Sequence, residues 1–167
     1  MTQTITSTLD ARGLDTFLES RNQPDWLVGL RRDAWQHAEA MNWPDRRDEE
    51  WIRTDIRTFQ LHKYGLPAIQ PGDLDARHQL LDGVDVAGAV ETVDSCVVSE
   101  SLDEFFARKG VVFGSLDRLC SECPDLIRPH LFTAFDCDYD KFAALHAAFW
   151  SGGQFLYVPR GVVIDRP

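Results

Sequence analysis

Lys141-Phe-Ala-Ala-Leu-His-Ala-Ala-Phe-Trp150 runs into Ser151-Gly-Gly153 and then Gln154-Phe-Leu-Tyr-Val-Pro-Arg-Gly-Val-Val-Ile-Asp165. The first piece reads as an alanine-rich helix, the second as a break, the third as strand after strand. Apolar runs such as Phe155 to Val158 and Val162 to Ile164 are typical of strands covered on both faces. Backbone groups in such strands need partners on each side, and no later residues follow to supply them. The expectation is therefore that this chain is the front end of a larger β-rich body. On its own it should self-associate through 154–165 or leave that tail disordered.

Working backwards, Ser115 to Phe135 should be helical in two parts, broken at Pro124 and again near Pro129, with Asp138 or Asp140 capping the last helix. Val86 to Val93 and Cys96 to Ser99 flank Asp94-Ser95 and read as a hairpin. Ser101-Leu-Asp-Glu104 has capping-box spacing and should open a helix closing on Gly110, followed by a short buried strand at Val111-Val-Phe113. Nearer the start, residues 9 to 21 form a short helix. A second begins at Pro24-Asp25, because proline lacks only a donor that would be unpaired there. Its apolar stripe is Trp26, Leu27, Leu30, Ala34, Trp35, Ala38 and Met41, while Arg31, Arg32, Asp33, Gln36 and Glu39 fall mainly elsewhere. Trp51 to Arg57 reads as a helical turn, and 60 to 83, punctuated by Gly65, Pro67, Pro71, Gly72 and Gly83, as the loosest segment. The fold class is thus α+β, with 1–83 a helical region plus linker, 84–150 a mixed hairpin-and-helix region capping the core, and 151–167 the first strands of that core.

Bulk composition narrows the function. A chain of 167 residues with 44% apolar residues, five Trp and ten Phe is ample for a packed core. Its formal charge of −10 argues against nucleic acid, which needs a basic face, and against anionic membrane surfaces. Met1 to Asp10 has neither a basic start nor an apolar h-region. The longest apolar stretch, Phe142 to Trp150, falls far short of the ~20 residues of a membrane span. Four cysteines, 96, 120, 123 and 137, are too sparse for a disulfide scaffold, which points to a reducing cytoplasm.

Few residues offer chemistry. Cys120-Ser-Glu-Cys123 has the spacing of a metal or redox pair, with His130 and Cys137 as further candidate ligands. It also sits in a helical pattern where cysteine serves as a small core residue. Asp136-Cys-Asp138-Tyr-Asp140 opens like a calcium loop but has Lys141 where the turn needs Gly and Ala147 where a bidentate Glu is needed. His146, on the apolar stripe of the last helix, reads as a core or interface histidine. No P-loop, nucleophile elbow or H-E-x-x-H pair occurs. No catalytic, cofactor or metal residue is assigned, and the chain is not expected to be an enzyme. The rival readings are a small redox or zinc protein using Cys120 and Cys123, and an interaction module docking through Trp26, Leu30 and Trp35.

The stretch from Asp140 to Pro167 resembles the entry into the β-helix core of the SufB/SufD proteins of iron–sulfur cluster assembly. Pro24-Asp-Trp-Leu-Val-Gly-Leu-Arg-Arg-Asp-Ala34, Asp48-Glu-Glu-Trp-Ile-Arg-Thr-Asp-Ile56 and Lys109-Gly-Val-Val-Phe113 are similar to N-terminal elements of the same family, in the same order. Glu50-Trp-Ile-Arg-Thr-Asp55 and Ala148-Phe-Trp-Ser-Gly-Gly153 lean towards SufD. The resemblance implies a helical region leading into a right-handed β-helix, truncated here. It also implies a non-catalytic scaffold subunit partnered by SufB and the SufC ATPase, with a capping role for this portion. The cluster would belong to the complete complex, and the family's cluster-related positions lie further along, so none is carried onto this chain.

Overall fold

The computed structural model describes residues 5–67, 83–93 and 95–167. The chain folds as two compact units, Met1–Ala68 with Asp125–Trp150, and Ile69–Pro124 with Ser151–Pro167. It is α+β throughout: short helices with strands that pair, among the described residues, as two-stranded antiparallel sheets.

In the first unit, strand β1 (Ile5–Thr8) leads into helix α1 (Ala11–Glu19), whose N-cap Asp10 accepts from the Gly13 N–H at 2.7 Å. Helix α2 (Asp25–Ala40) follows, and β2 (Gly65–Pro67) returns to pair with β1. That pairing lies in a stretch whose composition suggested only loop. Between α2 and β2 the chain turns through three short 3-10 segments, Glu49–Trp51, Ile56–Thr58 and Leu61–Lys63. Most of the loose segment expected at 60–83 lies outside the described residues, as does Asp94.

Helix α6 (Lys141–Phe149) is the centre of this unit. Asp140 caps it, accepting from the Ala143 N–H at 2.7 Å, which removes one orphan donor of the first turn. Ala144, Ala147 and Ala148 are 0% exposed and meet Ala34 and Ala38 of α2. Methyl-sized side chains on both helices let the backbones approach closely, and Leu14, Phe17 and Leu18 of α1 close the cluster. Each large side chain so buried contributes about 1.5–3 kcal/mol.

The buried face of α2 is Leu27, Arg31, Ala34 and Ala38, spaced i, i+4, i+7, i+11 as one helical stripe. Arg31 was expected on the outer side; it is 0% exposed. Trp26 and Leu30 are half-buried at the margin, Trp26 beneath the Arg128 guanidinium at 5.3 Å. Trp35 meets Phe149 edge-on at 5.6 Å. Two of the three side chains suggested as a docking stripe thus pack within their own unit.

The second unit holds the expected hairpin, β3 (Gly88–Val93) with β4 (Cys96–Leu102), turning through Ser95 at φ 69°. Helix α3 (Glu104–Arg108) opens on Asp103 rather than Ser101: Ser101 is spent in β4 opposite Ala89, and the Asp103 carboxylate takes the Phe105 N–H at 2.8 Å. Strand β5 (Val112–Ser115) then leads into α4 (Leu116–Glu122), and α5 (Pro124–Ile127) begins where the proline interrupts. Beyond Ile127 the chain is turns up to Asp140, so the helical expectation for 115–135 holds only for its first half.

Strand β6 (Gln154–Tyr157) pairs antiparallel with β5, Val112 opposite Tyr157 and Ser115 opposite Gln154. The preceding glycines are required by crowding: a Cβ on Gly152 would overlap the Ser95 carbonyl, and one on Gly153 would press on Leu116. Past Pro159 the tail is extended without a ladder. Val162, Ile164 and Arg166 face inward and Val163 and Asp165 outward, with Val162 and Ile164 lying on Ala87, Phe106 and Val111. Arg166 holds it, its guanidinium donating to Asp85 and Asp103 at 2.6 Å each.

Candidate functional site

The tail is half satisfied, which corrects the reading of strands covered on both faces. One edge of β6 bonds β5; along the other, no strand lies among the described residues. Leu156, Tyr157, Val158 and Val163 are 55, 39, 37 and 75% exposed. Exposed apolar side chains beside an unpaired ladder edge make a surface suited to strand addition. The inward face is nevertheless ordered by this chain's own α3 and Arg166, so the tail does not depend wholly on outside polypeptide.

The sulfur positions carry little chemistry. Cys120 is 0% exposed within α4, and Cys123 is its half-buried C-cap. No three His, Cys, Asp or Glu side chains gather as a metal group among the described residues, and the cysteines there form no disulfide. Burial, with Asp136 next, pushes the Cys137 thiol above its ordinary pKa, disfavouring the thiolate that a ligand or nucleophile needs. Asp136 and Asp138 are exposed and Asp140 is spent on its cap. His146 is the exposed residue of α6, not a core one, with Phe132 edge-on at 6.1 Å.

Arg31 is the buried charge that the periodicity concealed. Its Nη1 donates to the Ala148 carbonyl at 3.0 Å, and its guanidinium lies over the rings of Trp150 at 4.3 Å and Phe17 at 5.0 Å. Ala148 belongs to the last turn of α6, where carbonyls lack helical partners and the dipole favours a cation. The signal was available: Arg31 stands four residues after Leu27 and three before Ala34, inside the apolar stripe.

Below the end of α2, the rings of Trp43, Trp51, Phe59 and Phe142 form one cluster with Tyr64. Lys141 ties it to α2, donating to the Met41 carbonyl at 2.8 Å with its ammonium 5.1 Å from the Trp43 ring. Beside the cluster opens a pocket of 580 Å³ lined by Trp43, Pro44, Phe59, Thr54, Ile56, Arg46, Arg47, Arg57, Asp45 and Asp55. Two Asp-x-Arg clamps shape its rim. The Asp45 carboxylate accepts the Arg47 backbone N–H at 2.8 Å and also its guanidinium; Asp55 does the same for Arg57, N–H at 3.1 Å and guanidinium at 2.9 and 2.6 Å. Arg46 crosses to Asp55 at 3.2 Å. The Arg47 guanidinium holds Asp45 down to about 2, and Arg57 first, then Arg46, hold Asp55 well below the usual carboxylate range. The sequence reading of Trp51 to Arg57 as a helical turn singled out none of these side chains.

Among the described residues no helix is long and apolar enough to cross a membrane. Residues 16–167 match the model of the SufBD protein N-terminal region. The chain is 39% identical, over 88% of its own length and 19% of the relative's, to an iron-sulfur cluster assembly SufBD family protein of Mycobacterium tuberculosis (strain ATCC 25618 / H37Rv). It is 28% identical to the iron-sulfur cluster assembly protein SufB of Bacillus subtilis (strain 168), over 88% of this chain and 34% of that one. With SufD of the same strain it shares 28% identity over 95% of this chain and 37% of that one. The chain therefore spans little more than a third of these relatives at most. With the family model covering nearly all of it, from the second turn of α1 through the tail, this chain belongs to the SufBD family through its N-terminal region.

Proposed function

We propose that this chain serves iron–sulfur cluster assembly in the cytoplasm as the N-terminal portion of a SufD-like scaffold subunit, with a structural role and no catalytic one. The assembly role is supported by the family match and by the names of its relatives. Identity to SufB and SufD of Bacillus subtilis is equal at 28%. The preference for SufD rests on Glu50-Trp-Ile-Arg-Thr-Asp55 and Ala148-Phe-Trp-Ser-Gly-Gly153.

The observation that carries the structural reading is the edge of β6 along which no strand lies among the described residues, with its exposed Leu156, Tyr157 and Val158. In the reading proposed, β6 is the first rung of a right-handed β-helix, and the hairpin and α3 beneath it cap the end of that solenoid. Capping keeps apolar ends and unpaired edges of a stacked fold from aggregating. The partners are then a SufB-like subunit and a SufC-like ATPase. The cluster is the cargo of the whole complex.

The test is a graft. Residues 1–167 replace the N-terminal region of Bacillus subtilis SufD, and separately of SufB, in cells depleted of that subunit. Cluster-dependent enzyme activity is then measured. Rescue by the SufD graft is expected, with Leu156→Glu in the graft lowering it. Rescue by the SufB graft alone would overturn the SufD assignment, and an unaffected Leu156→Glu graft would overturn the role of the β6 edge.

A further inference from the structure

We propose that the pocket beside Trp43 and Phe59 docks an acidic protein segment, its carboxylates taken by Arg47 and Arg57 and an apolar side chain flanked by them seated against the two rings. The inference stands on the first unit alone and does not depend on the function proposed above. At 580 Å³ the pocket lies within the roughly 300–1,000 Å³ of ordinary ligand sites. It combines Trp, Phe and Arg, the side chains that dominate binding hot spots.

The clamps make the arginines suitable receptors. Each Asp takes Nε and Nη2 of its arginine, which fixes the plane of the fork and leaves Nη1 without a hydrogen bond among the described residues. Arg47 and Arg57 are 90 and 80% exposed, so those donors face solvent already oriented. Orientation before contact reduces the entropy lost on binding, and guanidinium matches carboxylate geometry. Charge agrees: three arginines against two aspartates line the pocket, a positive excess in a chain of net charge −10. Asp48, Glu49 and Glu50 are next along the chain and line none of it, so one or two carboxylates around an apolar residue fit better than a long acidic run.

An array of synthetic peptides with a phenylalanine or leucine centre, flanked by glutamate, glutamine or lysine, is titrated with the full chain by fluorescence anisotropy. Glutamate-flanked peptides should bind about tenfold or more tightly than their glutamine versions, from one or two charge-assisted hydrogen bonds. The R47Q/R57Q double variant should lose that margin. R12Q/R108Q, which removes the same charge at exposed arginines outside the pocket, should keep it. Amide shift changes should fall on 43–59. No glutamate preference, equal losses in the two double variants, or shifts elsewhere would each overturn the proposal.

Discussion

Replacing Arg31 tests whether a buried guanidinium holds the two central helices together. Its Nη1 bond to the Ala148 carbonyl, 3.0 Å long, is charge-assisted and contributes about 1.5–3 kcal/mol. The Trp150 and Phe17 faces at 4.3 and 5.0 Å add about 1–2 kcal/mol more. Against this stands the cost of removing the cation from water, several kcal/mol. Arg31→Ala gives up the favourable part, leaves the carbonyl short of a partner and opens a void, so the loss should be about 3–5 kcal/mol. Arg31→Met fills most of the volume and removes the desolvation cost together with the bond, but leaves the Ala148 carbonyl unpaired; about 1–3 kcal/mol is expected from that buried acceptor. All five tryptophans, 26, 35, 43, 51 and 150, lie in the first unit. Tryptophan fluorescence in a urea titration therefore reads this unit and no other. If Arg31→Met matches or exceeds the unsubstituted chain in stability, the hydrogen bond and ring contacts contribute nothing net and the reasoning fails.

Asp140→Ala removes the α6 cap and should cost about 0.5–2 kcal/mol by the same titration; no change would mean the first turn finds another acceptor. Asp45 should titrate at about 2 by carboxyl NMR, and Arg47→Gln should bring it back towards 3.8. Because its folded-state value is depressed, whatever stability the clamp gives is present above the ordinary carboxylate range and lost as pH falls towards 2; a titration near 3.8 in the unsubstituted chain would refute the clamp. Gly152→Ala drives a methyl group into the Ser95 carbonyl, and hydrogen exchange of the Leu116 amide, bonded to the Gly153 carbonyl at 2.9 Å, should accelerate about tenfold or more. Unchanged exchange would show that the backbone shifts without loss.

Elements whose periodicity is strong and local were legible. The alanine-rich α6, the α2 stripe and the hairpin across Asp94-Ser95 follow from residue spacing and turn residues. What escaped depends on distant partners. Ile5–Thr8 is short and mostly polar and Gly65–Pro67 is three residues with a Gly and a Pro, so neither announces a ladder, because pairing is decided by what the first unit brings together. Ser101 has the chemistry of a cap but is claimed by β4, so Asp103 serves instead. Arg31 was assigned by residue type to the outer face although its position lay on the inner one. The Asp-x-Arg spacing occurs four times, at 10–12, 45–47, 55–57 and 75–77, and charge alternation of that kind reads as solvated turn until the carboxylates of Asp45 and Asp55 are seen accepting the arginine amide and guanidinium together. The tail misled in a different way. Its apolar density suggested two covered faces, whereas the alternation of 162–166 places one side on Phe106 and the other outward.

The β6 edge is argued best by comparison with the hairpin in the same unit. β3 and β4 carry Glu91, Ser99, Glu100 and Ser101 along their length, the charged and polar side chains that discourage further strands from joining. Glu100 is also engaged, accepting the Ser115 N–H at 2.6 Å and the Arg118 guanidinium at 2.6 Å. Gln154 to Val158 has no charge and no proline before Pro159, yet along one of its ladder edges no strand lies among the described residues, and Leu156 is more than half exposed. A strand meant to stay at the border of a sheet would carry the first kind of protection. Lacking it, β6 has the composition of a strand that receives a neighbour, and Pro159 limits the stretch that can be paired. The same unit thus contains one edge with the side chains that refuse strands and one with the side chains that accept them.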